Sequence, residues 1–322
     1  MTITNFTMPP VTIVTPSFQQ AQFLEETMQS VLSQAYPFLN YVVIDGGSTD
    51  GSVDIIKKYA DRLAYWVSEP DAGQSDAINK GFQQADEATI IIAWLNSDDV
   101  LLPNAVLKAV RTFQNHPDAA LVYGDVLSIN EHGTVINEMR YGDWQLEDLM
   151  AFHIIGQPAV FTRLKLFVGL GGLDTTYDYL MDHHLWLRLA LEGEMVHIPE
   201  FLAKARIHSD AKNVAKAANF GADAFRLVGW MRGQPYTRKL MEKEGFDKKV
   251  ESAAHRFNAR YLLDAGKARQ AFREYWRSFR LHSKTCLVEW HRWLFALLAM
   301  LGFGFLKTIF YRSKHARYGR KY

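Results

Sequence analysis

A single cysteine in 322 residues, Cys286, excludes an internal disulfide and fits a reducing compartment. No sign of charge dominates: 36 Lys and Arg stand against 35 Asp and Glu, for a formal net charge of +1. Without a basic excess the chain lacks the electrostatic footprint of a nucleic-acid partner, and none is expected. The first ten residues hold no basic stretch followed by an apolar run, so no secretory signal is read there and the expectation is cytoplasmic. Also missing is the stretch of roughly 20 apolar residues that a bilayer-spanning helix needs. The run Trp293 to Leu306 has fourteen. What is there, 48% hydrophobic and 22% charged residues, is the composition of a globular protein. At this length one main domain with an appendage is expected.

Along the first part of the chain, strands and helices alternate. Val11 to Thr15 is a β-branched run closed by Pro16 and Ser17, and Gln22 to Gln34 follows with apolar positions at helical spacing. Tyr41 to Ile44 is a second strand, closed by Asp45-Gly-Gly-Ser-Thr-Asp-Gly51, with a helix after it. Leu63 to Val67, a helix over Asp76 to Gln84, and the strand Thr89 to Leu95 continue the order. Strands this uniformly apolar belong in a parallel sheet covered on both faces, which predicts an α/β layer fold with its ligand loops at the carboxyl ends of the strands. Beyond about Ala215 the chain turns Arg- and Ala-rich, and Ala253 to Leu263 with Ala268 to Leu281 predict an αα-hairpin turning at Gly266.

Four polar segments carry the candidate chemistry. Asn96-Ser97-Asp98-Asp99 follows the most apolar strand, and adjacent carboxylates there suit a divalent cation that takes its other ligands from a nucleotide diphosphate. The competing reading is that these residues cap a helix beginning near Pro103. Asp45, at a strand end among glycines, is placed to accept from a base or ribose, although Ser48, Thr49 and Asp50 equally suit capping. No dinucleotide or P-loop fingerprint is present. Asp71 and Asp76 can line the same crevice with Lys80 offsetting them, or form a turn and cap. Asp182, in the first turn of a helix, is a candidate general base if partly desolvated, and a cap or surface acid otherwise. His183 and His184 diverge by about 100° on a helix and are poor partners for one ion.

Together and in this order, these segments over residues 9 to 210 resemble family 2 inverting glycosyltransferases of the GT-A fold, of the kind found in bacterial polysaccharide biosynthesis. The resemblance is carried by Val11 to Phe18, Asp45 to Gly51, Ser68 to Gly81, Asn96 to Asp99, Gly156 to Phe161, Gly171 to Asp174, Met181 to Arg188 and Arg206-Ile-His208. It implies that Thr15, Pro16 and Ser17 border the nucleotide, that Asp45 reads a uracil, and that Asp71 and Asp76 belong to the donor site. It further implies that Asn96 and Asp98 fall on the Asp-x-Asp metal motif, with Asp99 an alternative metal ligand and His208 able to approach the metal. Asp182 is implied as catalytic base. The chain departs from the family pattern twice, with Asn96 in place of the first Asp and Met181 in place of Glu.

The function so implied is metal-dependent transfer of a sugar from a nucleotide sugar, UDP-linked, to an acceptor hydroxyl with inversion, using Mn2+ or Mg2+. Its alternative is an inactive nucleotide-binding relative. The domains expected are a GT-A catalytic domain over 1–214, with a nucleotide half of about 9–125 and an acceptor half of about 126–214, and a helical region over 215–322. Within the latter, a membrane-interface helix at about 287–311, followed by Arg312, Lys314, Arg317, Arg320 and Lys321, suits the inner face of an anionic membrane. A glycan or lipid-linked glycan is the acceptor this suggests, with packing against the main domain as the other use of the helix.

Overall fold

The computed structural model describes residues 8–209 and 211–305. Its first part alternates strand and helix: β1 (Val11–Ser17), α1 (Ala21–Leu32), β2 (Leu39–Asp45), α2 (Ser52–Lys58), β3 (Tyr65–Ser68), α3 (Gln74–Gln83) and β4 (Ile91–Trp94). A two-residue strand β5 (Val100–Leu101), α4 (Ala105–Asn115), β6 (Ala119–Asn130) and β7 (Val135–Met139) follow. Then come α5 (Leu146–Met150), β8 (Val160–Arg163), α6 (Leu164–Gly169), α7 (Met181–Leu189) and β9 (Glu194–Ile207). The sheet order is β3-β2-β1-β4-β8-β6-β9-β5, with β7 pairing β6. Strands β3, β2, β1 and β4 are mutually parallel, whereas β8 runs antiparallel to both β4 and β6.

The pleat explains why the strands are apolar throughout. Val14, Val42, Ile44, Ile92 and Trp94 bury against α3 and α7 on one face, while Val11, Ile13, Tyr41, Val43, Ile91 and Ala93 bury against α1 and α4 on the other. Strands β1, β2 and β4 therefore feed two cores, whereas β3 and β9 keep exposed positions.

The C-terminal region is helical: α8 (Lys212–Ala215), α9 (Phe220–Gly233), α10 (Pro235–Met241), α11 (Phe246–Asp264), α12 (Ala268–Leu281), α13 (Ser283–Leu287) and α14 (Trp290–Met300). Phe220, Ala224, Leu227, Val250 and Phe257 join the core under α7, and Ala259, Leu263, Tyr275, Cys286 and Ala296 form a separate small core between α11, α12 and α14.

Two local expectations change. The helix expected near Pro103 starts at Ala105, behind Asn104 in a left-handed conformation (φ 63°), and β5 separates it from Asn96 to Asp98, so those residues do not cap it. The apolar run near the C-terminus does not continue as one helix from 287: α13 ends at Leu287, and α14 ends at Met300 before Gly302, whose φ of 94° closes the helix. Among the described residues no helix is long and apolar enough to cross a membrane. Residues 306–311 of the expected interface segment and the basic residues from Lys307 to Lys321 lie outside the described residues.

Candidate active site

The loops at the carboxyl ends of β1, β2, β3 and β4 converge on one edge of the sheet. At the end of β1, Thr15 is fully buried and its hydroxyl accepts from the Tyr41 hydroxyl at 2.9 Å. Two residues on, Ser17 is buried and its Oγ has no partner among the described residues, a free polar atom at the strand's ligand end. Pro16 pairs with Ile44 in register, so it adds rigidity without breaking the ladder.

Asp45 is enclosed. Its Oδ2 accepts from the amides of Gly47 (3.1 Å) and Ser48 (2.8 Å) and from the Ser68 hydroxyl (2.7 Å), and its Oδ1 accepts from the Ser48 hydroxyl (2.6 Å). In this state Asp45 shapes its own loop, and a base reaching it would have to replace one of these donors. The capping that sequence allowed in this loop falls to Asp50, whose Oδ1 accepts from the amide and hydroxyl of Ser52, the first residue of α2, at 3.1 and 2.7 Å, while its Oδ2 accepts from the amide of Ala21, the first residue of α1, at 2.8 Å. Asp71 folds over the same loop. A Cβ on Gly46 would lie 2.9 Å from Asp71 Oδ2 and 3.2 Å from the Phe18 ring, so a larger residue there would push those side chains aside. Asp71 also accepts from the Gly73 amide at 2.8 Å, and Asp76 from the Ala72 amide at 3.1 Å.

Past β4 the paired carboxylates part company. Asp98 Oδ2 lies 3.0 Å from Nε2 of His208, the residue just beyond β9. Asp99 turns inward: 5% exposed, it accepts from the backbone amide of Arg206 (2.9 Å) and from the side-chain amide of Asn96 (3.3 Å). Burial first, then the neighbouring Asp98 charge, pushes the Asp99 carboxyl well above the usual carboxylate range. Of the two acids, Asp98 is the one that faces an imidazole.

Arg206 braces this arrangement. Its guanidinium donates to Asp98 O (2.9 Å), to Asn130 O and Glu131 O (3.2 Å each) and to Glu26 (2.6 Å), and it lies over the Phe23 ring.

Asp182 occupies the first turn of α7, where the amide of His183 donates to its Oδ1 at 2.7 Å. Desolvation raises its pKa to about 6, moderated by hydrogen bonding and by Lys212. The two histidines beside it diverge as expected. His183 Nε2 meets Leu149 O at 3.0 Å and its ring stacks on Phe152, while His184 packs against Tyr177 and Trp230. Burial holds both imidazoles down at about 4, neutral at ordinary pH. Further along α7, Arg188 donates to Leu170 O and Gly172 O, and Asn79 of α3 grips Leu173 through both its amide and its carbonyl, so the Gly171–Asp174 segment is tied to both helices. Gln157 donates to Trp94 O at 2.7 Å and fixes the end of β4.

Two residues that sequence reasoning missed link the halves of the site. Gln74 donates to Asn96 Oδ1 (2.7 Å) and accepts from Lys212 Nζ (3.3 Å). Lys212 also donates to Asp178 O at 2.8 Å, and its charge acts on Asp182. A polar chain thus runs from Asp99 through Asn96 and Gln74 to Lys212. Gln74 lay inside a quoted segment but is uncharged, and Lys212 lay beyond every motif; neither carried a local signal.

Asp98 and His208 offer a divalent cation two ligand atoms from the chain. Among the described residues no three His, Cys, Asp or Glu side chains converge. A carboxylate oxygen and an imidazole nitrogen side by side still suit one Mg2+ or Mn2+ whose remaining positions come from diphosphate oxygens and water.

Residues 12–162 match the model of the family described as Glycosyl transferase family 2. An uncharacterized glycosyltransferase of Mycobacterium tuberculosis is 29% identical over 235 residues, covering 71% of this chain and 86% of the relative. Among solved structures, S. aureus TarS in complex with UDP aligns with a TM-score of 0.60 at 13% identity over 97% of this chain and 89% of that one. The mannosyltransferase PcManGT of Pyrobaculum calidifontis, in complex with GDP-Man and Mn2+, aligns with a TM-score of 0.59 at 18% identity over 92% and 87%. At these identities the structural likenesses carry the fold.

Proposed function

Because the chain belongs, through residues 12–162, to glycosyl transferase family 2, we propose that it moves a sugar from a nucleoside-diphosphate donor, UDP-linked, to an acceptor hydroxyl with inversion at the anomeric carbon. The observation that carries this reading is the placement of Asp182. It is a desolvated carboxyl with a pKa raised to about 6, on the helix that packs against the strand leading to Asp98. A base of that pKa is ionised at neutral pH and still strong enough to take a proton from a hydroxyl as that oxygen attacks.

Asp98 and His208 are the residues that would hold a divalent cation. When bound, such an ion supplies charge stabilisation to the departing diphosphate. The rest is done by the chain. Ser17, with its unpartnered hydroxyl, and the backbone after Thr15 and Pro16 border the nucleotide, and the Asp45 and Asp71 loops close over the base and ribose. Asp76 and Asn96 complete the donor side, and Lys212 holds a positive charge near the base, favouring its ionised form. The catalytic domain in this reading spans 1–214 and the helical region 215–322.

Contact with an anionic membrane at the cytoplasmic face, and a lipid-linked or polysaccharide acceptor, extend the proposal. They draw support from apolar side chains exposed in and between the last two helices, Leu287, Val288, Trp290 and Leu294.

The test is release of nucleoside diphosphate from a panel of nucleotide sugars with Mn2+, with Mg2+ and with chelator, in wild type and Asp98→Ala. Metal-stimulated release from one donor, lost in the variant, is the expected result. A second reading, nucleotide binding without transfer, rests on Asn96 and Met181, the two departures from the family pattern. Metal-dependent nucleotide binding with no release from any donor would establish it instead.

A further inference from the structure

Away from the donor loops, α11, α13 and the turn after α5 line an open cleft of about 210 Å³. Its lining carries three cations, Lys249, Arg256 and Lys284, and two imidazoles, His153 and His282, and no carboxylate. A cleft whose charged lining residues are all cationic favours an anion over water alone.

Arg256 is the buried member, 5% exposed. Its terminal nitrogens donate to Thr285 O (3.2 Å) and Ala151 O (3.3 Å), while its Nε–H has no hydrogen-bond partner among the described residues. The carboxylate facing it, Glu289, stands 3.8 Å from Nε, beyond hydrogen-bond reach, and is shared. Glu289 also accepts from Arg260, in a short contact, and from the Tyr275 hydroxyl at 3.1 Å. One carboxylate thus answers two guanidiniums. Lys249 lies over the Phe246 ring, 5.4 Å from its centroid, and neither it nor Lys284 has a carboxylate partner among the described residues.

The imidazoles are similarly uncommitted. His282 uses Nδ1 with the Thr285 hydroxyl at 2.8 Å, which leaves its Nε2 available. His153 Nδ1 is buried without a hydrogen bond, with Asp148 3.9 Å away. Burial, then the charges of Arg256 and Lys249, hold the His153 imidazole below its ordinary value against the opposing pull of Asp148, a sign that these positive charges converge on one space.

We propose that this cleft is a binding site for a phosphate group, held by Arg256, Lys249 and Lys284 with the two imidazoles as further donors. A phosphate dianion accepts several charge-assisted hydrogen bonds at once, which matches a wall of three cations better than a single carboxylate would. The volume, against about 30 Å³ for one water, leaves room for a phosphate and part of what it is attached to. Val288 at the rim is 69% exposed, with Leu287 and Trp290 beside it, so the group on the phosphate meets an apolar border. The same turn that forms one wall also touches α7, since Phe152 stacks on His183 next to Asp182. The inference stands apart from the transfer reading, because it concerns binding that needs no nucleotide sugar.

Calorimetric titration of the full chain with inorganic phosphate at fixed salt tests it, using wild type, the double variant Lys249→Glu/Lys284→Glu, and Lys267→Glu as a control of equal sign on an exposed residue outside the lining. Neither lysine of the pair is buried, so the double variant is expected to fold. The expected result is binding in wild type, a loss of about tenfold or more in the double variant, as for lost charge-assisted hydrogen bonds, and little change in the control. Flotation with phosphatidylcholine vesicles containing phosphatidic acid separates the sources. A matching loss there identifies a lipid headgroup, and unchanged vesicle binding identifies a soluble phosphate. No phosphate binding by wild type, or an equal loss in the control, would overturn the proposal.

Discussion

Trp94 and Trp186 stack with ring centroids 5.2 Å apart and planes 24° from parallel, and both are 1% exposed. Trp94 ends the strand that leads to Asp98, and Trp186 lies one helical turn past Asp182. The pair is therefore the joint between the candidate donor site and the candidate base. Trp186→Ala is expected to cost about 3–5 kcal/mol of stability, as other buried Trp truncations do. In what folds, kcat should fall more than KM rises, because the base is displaced while the nucleotide loops are not. Denaturant melts together with steady-state kinetics check both.

Asp182→Asn should keep donor binding and lower transfer by roughly 100-fold or more, the usual scale of a missing general base. In wild type, kcat/KM should rise with pH through an apparent pKa of about 6. The stability sign is opposite. With its folded pKa raised above the unfolded value, Asp182 keeps its proton longer in the folded state, so folding loses stability as pH rises from about 4 to about 6. The variant should therefore be the more stable protein at pH 8, by on the order of 1–2 kcal/mol, and show no such gain at pH 4. Thermal melts at the two pH values decide it, and equal offsets at both would count against the burial of this charge.

The two adjacent acids should respond differently. Asp98→Ala is expected to remove metal-stimulated diphosphate release. Asp99→Asn should retain most of it, since an amide oxygen can still accept from the Arg206 amide. Asp99→Ala, which leaves that amide unpaired, should cost about 1–3 kcal/mol in stability. Parallel activity and urea-unfolding curves for the three variants separate ligand from scaffold, and a loss of activity in Asp99→Asn as large as in Asp98→Ala would reverse the assignment.

Arg206→Ala should be among the most destabilising changes near the site, about 3–5 kcal/mol, because it strips a buried guanidinium from Glu26 and from three carbonyls. Glu26→Gln, at a half-exposed partner, should cost under about 1 kcal/mol. Comparing their melting temperatures distinguishes a brace built on the carbonyls from one that depends on the ion pair.

What the sequence determined by itself lies within short windows of chain. The apolar runs of β1, β2 and β4, the polar loops closing them and the α11–α12 hairpin were legible, because strand burial on both faces and helical spacing write themselves into consecutive residues. So was the set of candidate carboxylates, since loops at strand ends are where parallel sheets put their ligands.

The tertiary structure alone decided which of those groups face one another. Asp98 meets His208 across 110 residues because β9 runs parallel to β6 and carries the chain back to the same edge, an outcome of sheet order that no local pattern encodes. The enclosure of Asp45, the reach of Asp50 to α1 as well as to its own helix, and the inward turn of Asp99 each depend on which donor a distant segment brings within reach. Gln74 and Lys212 became part of the site for the same reason. Periodicity and composition report how a residue is buried, but a hydrogen bond between distant segments is set by the register and packing of the elements that carry them.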